Sequence, residues 1–149
     1  MIARRVAPAL ALAAFAEASH PDPLIQIALK PDRGLEVILR NPTKSAITVP
    51  DLTLQLSPPG RDYFTWCCWS RLKLPKTALF PDEELRFVIK PHELGWCQAG
   101  NGVRGKCVLK PLAKVVASPG PYQLFIAVGK KVPASNVVPY EVEARRDQR

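Results

Sequence analysis

Apolar and polar residues alternate with a period of two through several short stretches of this chain. Residues 24–30 read LIQIALK, with Ile25, Ile27 and Leu29 on one side and Gln26, Ala28 and Lys30 on the other. That period marks a half-buried strand. Residues 35–40 (LEVILR) repeat it with Leu35, Val37 and Leu39. Pro31-Asp32-Arg33-Gly34 lies between them as a turn, with Pro at the second corner and Gly closing it, so the two runs predict a hairpin. Asn41-Pro42 stops the second strand. Residues 46–49 and 52–56 predict two more strands, broken at Pro50, with Leu52, Leu54 and Leu56 sharing a face. Ser57-Pro58-Pro59-Gly60 turns the chain.

Residues 63–69 (YFTWCCW) are rich in strand-favouring aromatics. Pro81-Asp82-Glu83-Glu84 precedes residues 85–90, where Leu85, Phe87 and Ile89 alternate with Arg86, Val88 and Lys90. Residues 91–110 hold four glycines and two cysteines and predict a long excursion pinned by its cysteines. Pro119-Gly120-Pro121 leads into residues 122–128, with Tyr122, Leu124, Ile126 and Val128 facing one way. Residues 136–143 predict a last strand. Pro139 removes a ladder donor from it, which places it at a sheet edge. Seven or eight short strands with turns between them, and no helix of normal length, predict an all-β antiparallel sandwich.

Composition agrees with that pattern. Sixteen prolines against eight glycines disfavour long helices. A chain of 149 residues, 47% of them hydrophobic, is one domain with enough apolar surface for a core.

The first 18 residues read differently. Arg4 and Arg5 precede an apolar stretch from Val6 to Phe15, and Ala16-Glu17-Ala18 fits a small-x-small cleavage site. Residues 1–18 are therefore expected to be a signal peptide, with an N-terminal signal helix too short to span a bilayer. Residues 19–23 would then open the mature chain, residues 24–144 form the domain, and residues 145–149 a basic tail. The expected address is periplasmic or extracellular, with no membrane span after cleavage.

Cys67, Cys68, Cys97 and Cys107 suit that address, since an even count in a small exported domain implies disulfides. Three pairings exist. Joining Cys67 to Cys68 strains the peptide between them and ranks last. On a strand the two side chains point to opposite faces. Separate bridges from each to Cys97 and Cys107 are the natural expectation, each contributing about 2–4 kcal/mol.

The net charge is +8; without Arg4, Arg5 and Glu17 there remain 19 basic and 12 acidic residues, about +7. Nucleic-acid binding needs basic residues clustered with stacking aromatics, and here the basic residues are scattered. No nucleic-acid partner is expected. Residues 100–107 (GNGVRGKC) approach a phosphate-binding loop, but Cys107 stands where the magnesium-binding hydroxyl belongs and no helix pattern follows. Copper could be chelated by a mature N-terminus bearing His20, a weak metal candidate; His92 is the sole other histidine. Redox catalysis wants a C-x-x-C spacing that is absent. With two histidines no nucleophile–base pair stands out. No catalytic residue, metal or cofactor is expected, and the chain reads as a non-enzyme.

The distinctive feature is aromatic. Trp66, Trp69 and Trp96 all flank cysteines. Packing of indoles on disulfides explains them in one way. An exposed indole anchoring a partner explains them in another, since tryptophan is enriched at binding hot spots. The three form the candidate binding surface.

Four phrases resemble bacterial immunoglobulin-like domains. Leu35-Glu36-Val37-Ile38-Leu39-Arg40-Asn41-Pro42 resembles their asparagine-ended second strand, and Leu79-Phe80-Pro81-Asp82-Glu83 resembles an "L-x-P-G-E" turn with Asp82 replacing glycine. Gly120-Pro121-Tyr122-Gln123-Leu124 resembles "G-x-Y-x-L", and Ser135-Asn136-Val137-Val138 resembles "S-N-x-V". The resemblance spans most of residues 24–144, with residues 61–118 departing from it. It implies a Greek-key sandwich with Tyr122 near a tyrosine corner. It implies no activity, because fold does not transfer function.

The expected role is that of an exported module binding another protein through the edge strand near residues 136–143 and the disulfide-braced aromatic surface. A carbohydrate on exposed tryptophans, copper at the mature terminus, or protease inhibition by the loop 91–110 are the alternatives. The oligomeric state is not legible.

Overall fold

The computed structural model describes residues 22–60, 67–98, 107–129 and 133–144. The expected leader at 1–18, His20, Trp66, the phosphate-loop-like residues 100–106 and the tail 145–149 lie outside the described residues. Ten strands form in chain order: β1 (Leu24–Leu29), β2 (Leu35–Arg40), β3 (Ile47–Thr48), β4 (Leu52–Ser57), β5 (Cys68–Arg71), β6 (Ala78–Leu79), β7 (Glu84–Ile89), β8 (Cys97–Gln98), β9 (Gly120–Val128) and β10 (Val138–Val142). A 3-10 turn η1 (Pro91–Glu93) and a one-turn helix α1 (Leu112–Val115) interrupt them. Among the described residues no helix is long and apolar enough to cross a membrane.

The strands make a three-stranded sheet β1-β2-β7, a five-stranded sheet β10-β9-β4-β5-β8 and a small pair β3-β6. All strand pairs are antiparallel, with Ile27 opposite Val37, Val37 opposite Phe87, and Leu54 opposite both Ser70 and Ile126. The alternating residues do what their period dictates. Ile25 and Ile27 from β1 and Leu35, Val37 and Leu39 from β2 join Leu52, Leu54, Leu56, Cys68, Leu124 and Ile126 from the larger sheet in one buried cluster. The two larger sheets thus share a core, each contributing its every-second residue.

The centre of the five-stranded sheet is buried on its other face as well. Phe125, Ala127 and Ser57 are fully covered and Gln55 nearly so. This is why β9 reads as a continuous apolar run over residues 124–128, whereas β4 keeps its alternation and buries the polar Gln55 and Ser57 on that face.

Short polar side chains join what the strands leave apart. Asn41 is fully buried at the end of β2. Its Nδ2 donates to the carbonyls of Ser45 (2.8 Å) and Leu79 (3.0 Å), and its Oδ1 accepts from the Thr43 amide (2.9 Å) and hydroxyl (2.7 Å). Asn136 closes the outer edge of β1: its Oδ1 accepts from the Ile27 amide at 2.8 Å and its Nδ2 donates to the Ile27 carbonyl at 2.9 Å. Next to it, Ser135 Oγ accepts from the Ile126 amide of β9 at 2.8 Å. Two adjacent residues therefore tie one sheet to the other. The Tyr122 hydroxyl donates to the Ser118 carbonyl at 2.7 Å, four residues upstream.

Two turns use a left-handed residue that is not glycine. In the β1–β2 hairpin it is Arg33, with φ +69°, and not the Gly34 expected to close the turn. Gly34 serves a close approach instead: a Cβ there would meet Asp32 Oδ1 at 3.0 Å and Val88 Cγ1 at 3.1 Å. In the β6–β7 turn it is Asp82, with φ +60°. The Glu83 amide donates to the Phe80 carbonyl at 3.0 Å, Pro81 occupies the second position and Asp82 the third, where a type II turn wants glycine. Glu83 secures the turn through its carboxylate, which Lys76 bonds and which accepts the Phe80 amide at 2.9 Å; these contacts hold its pKa below the ordinary range. Asp82 itself makes one exposed contact with Arg40 at 3.8 Å, which contributes little. Asp82→Gly is accordingly expected to raise unfolding free energy by about 0.5–1 kcal/mol, read as a higher urea midpoint with unchanged slope.

Candidate functional site

The disulfide map differs from the expectation. Cys67 is bridged to the adjacent Cys68, and Cys97 to Cys107 with Cα atoms 5.7 Å apart. The sheet explains the pairing. Cys68 opposite Gln98 is buried among the core residues, whereas Cys97 opposite Trp69 belongs to the outer face. Residues facing one another across antiparallel strands share a side, so Cys68 and Cys97 point away from each other. A bridge from Cys68 to Cys97, one of those expected from the alternation of Cys67 and Cys68, is thereby excluded.

The candidate tryptophans separate in the same way. Trp96 is fully buried and its indole Nε1 donates to the Pro91 carbonyl at 2.8 Å. It is a core residue, which corrects its assignment to the binding surface. Its backbone N–H donates to the Lys110 carbonyl at 2.8 Å, and the Lys110 N–H returns a bond at 3.0 Å. That reciprocal pair extends the sheet beyond β8. Trp69 is half-buried on the outer face of β5, between Gln55 and Cys97. Trp66 lies outside the described residues.

One row of side chains crosses that outer face. Phe125, Gln55, Trp69 and Cys97 stand opposite one another strand by strand. With Trp96 paired to Lys110, the next residue opposite Cys97 is Leu109. The inner members of the row, Phe125 and Gln55, are buried, but Leu109 is 64% and its neighbour Val108 71% exposed. A Cβ on Gly95 would meet Leu109 Cβ at 2.9 Å, so this close approach requires the glycine. Gly95 is fixed in turn, its carbonyl accepting the Ser70 hydroxyl at 2.7 Å. Within the expected pinned excursion 91–110, the described residues on either side run antiparallel, held by the Trp96–Lys110 ladder and the Cys97–Cys107 bridge, and carry two bare aliphatic side chains, Val108 and Leu109. Leu109 and Val108 were not candidates in the sequence: a two-residue apolar run carries no period, and exposure depends on which neighbours arrive.

The edge strand β10 is found where Pro139 places it, at the end of the five-stranded sheet. Its outer side is partly blocked. Pro139 has no N–H to offer, and the Glu141 carbonyl, two residues on and facing the same way, accepts the Arg33 guanidinium. Arg33 also pairs with Glu143 at 2.6 Å and lies 5.1 Å over the Tyr140 ring. Burial pushes the Tyr140 phenol above its ordinary pKa, partly offset by Arg33. A cleft of about 130 Å³ opens here, lined by Arg33, His92, Leu112, Tyr140 and Glu143 among others. Its one guanidinium is already committed to carboxylate and carbonyl. Among the described residues no three of His, Cys, Asp and Glu converge as a metal-binding group.

No family model matches this chain, and no curated protein and no solved structure matches it. The functional reading therefore rests on the surface itself.

Proposed function

We propose that this protein is a non-enzymatic, exported binding module that engages another protein through the outer face that carries Trp69 and Leu109, together with the exposed Val108 next in sequence. The observation that carries the reading is the pair of aliphatic side chains, 64% and 71% exposed, on a segment held by a disulfide and a backbone ladder. Large apolar groups on rigid backbone lose little freedom on association, so their burial goes into affinity. Trp69 stands on the same face as Leu109, with Cys97 between them, and has the area and polar edge typical of interface anchors. The partly blocked outer side of β10 favours this surface over the edge-strand route.

The fold is read as an immunoglobulin-like Greek-key sandwich. Several features support this: β1, β2 and β7 in one sheet, β10, β9, β4 and β5 in order in the other, and Tyr122 at the start of β9 bonding back to Ser118. Both cysteine pairs standing bridged supports an oxidising, extracytoplasmic address.

The test is capture of native extracellular or periplasmic proteins on the immobilised, oxidised chain. Leu109→Asp should reduce capture about tenfold or more while leaving the urea midpoint unchanged, since the side chain is exposed. Reduction of Cys97–Cys107 should weaken the same capture. Capture that survives both changes, or none from any such fraction, refutes the reading.

A further inference from the structure

The three-stranded sheet ends on β7, and among the described residues no strand pairs with its far edge. The Asn41 amide donates to the Glu83 carbonyl at 3.1 Å. By the alternation of antiparallel ladders, Leu85, Phe87 and Ile89 then bond to β2, and the backbone groups of Glu84, Arg86 and Val88 aim outward. The core is unfinished along this edge. Leu85, Phe87 and Ile89 are half-buried, whereas Leu39, Val37 and Leu35 opposite them on β2 are fully buried. Another strand beside β7 would complete the layer.

We propose that the missing strand is β7 of a second copy, paired antiparallel about a two-fold axis at Phe87. The choice of partner comes from complementarity. In that register Glu84 faces the partner subunit's Lys90, Leu85 faces the partner subunit's Ile89, Arg86 faces the partner subunit's Val88, and the two Phe87 rings meet on the core side. On the core side Leu85, Phe87 and Ile89 of both copies form a continuous apolar strip, and on the solvent side an ion pair closes each end of the paired segment. Glu84 holds Arg86 through one carboxylate oxygen at 2.9 Å, leaving the other for the lysine. Sliding one step in either direction sets Arg86 against the partner subunit's Arg86 or against the partner subunit's Lys90, and directly opposed like charges are destabilising. The charges therefore select one register. Pro81 and Pro91 bound the paired segment at either end. The result is a six-stranded sheet spanning both copies, with the Trp69 surfaces left free. An isologous contact of this kind closes on itself as a dimer and does not propagate.

Sedimentation velocity of the oxidised full chain over a dilution series tests this. The wild type should associate to dimers. Lys90→Glu and Glu84→Lys should each weaken association about tenfold or more, and the combined charge swap should restore it. Amide exchange at Glu84, Arg86 and Val88 should slow on dimerisation, because those donors aim outward in the monomer. A monomer at every concentration overturns the proposal. So does a dimer indifferent to the charge changes, or one in which these amides exchange as fast as in the monomer.

Discussion

Trp96→Ala is expected to lower unfolding free energy by about 4 kcal/mol, through a core void and an orphaned Pro91 carbonyl together. The indole is fully buried and its N–H is bonded, so nothing near it can collapse into the space at no cost. Against a typical total of about 5–15 kcal/mol, such a loss leaves the domain marginal. Trp96→Phe keeps most of the ring and forfeits mainly the hydrogen bond, about 1–2 kcal/mol. Trp69→Ala, on the half-buried outer face, should cost less than either core replacement while weakening partner capture. Urea unfolding of the three variants separates the roles. Equal losses at Trp69 and Trp96 would contradict the opposite placement of the two indoles.

Asn41 is the second sensitive position. Its side chain satisfies two carbonyls and two donors with no exposure to water. Asn41→Ala strands the Leu79 carbonyl and the Thr43 amide, while the Thr43 hydroxyl still reaches the Ser45 carbonyl at 2.8 Å, at a cost of about 2–3 kcal/mol once local relaxation is allowed. Asn41→Asp should be worse at neutral pH, because a carboxylate cannot donate to the Leu79 and Ser45 carbonyls and its charge is desolvated. Both effects raise the folded-state pKa of the new carboxyl above its unfolded value. The variant should therefore be most stable below about pH 4 and lose stability as pH rises through the folded value. A midpoint that instead rises with pH for Asn41→Asp relative to Asn41→Ala would show that the site is not the closed carbonyl cage described.

Much of the fold was legible because burial in strands is local. The alternation at 35–40 marked β2 to the residue, and those at 24–30, 52–56 and 85–90 marked β1, β4 and β7 to within one residue at an end. Pro139 located an edge because a missing donor can face only outward. The two-residue strands β6 and β8 left no trace, since a strand of that length has no period and exists only through its partner. The left-handed residue of the first hairpin was hidden for a related reason. Glycine is the usual occupant, but Arg33 takes the position because Tyr140, Glu141 and Glu143, over a hundred residues away, receive its side chain.

The candidate site was legible in part. The sequence pointed to tryptophans beside cysteines and to a cysteine pin within residues 91–110, and the described residues hold that pin as the Cys97–Cys107 bridge. It could not tell which indole was buried or which cysteines met.

What the chain itself dictated, then, is the longer strands, their inward faces and their breaks, because these follow from side-chain period and from the backbone limits of proline. What only the tertiary structure decided is which strand lies beside which. That neighbourhood sends Cys68 and Cys97 to opposite faces, draws Trp96 into the core, and leaves Leu109 and the far edge of β7 uncovered. Each of these depends on a residue distant in sequence, and a two-residue period carries no information about distance.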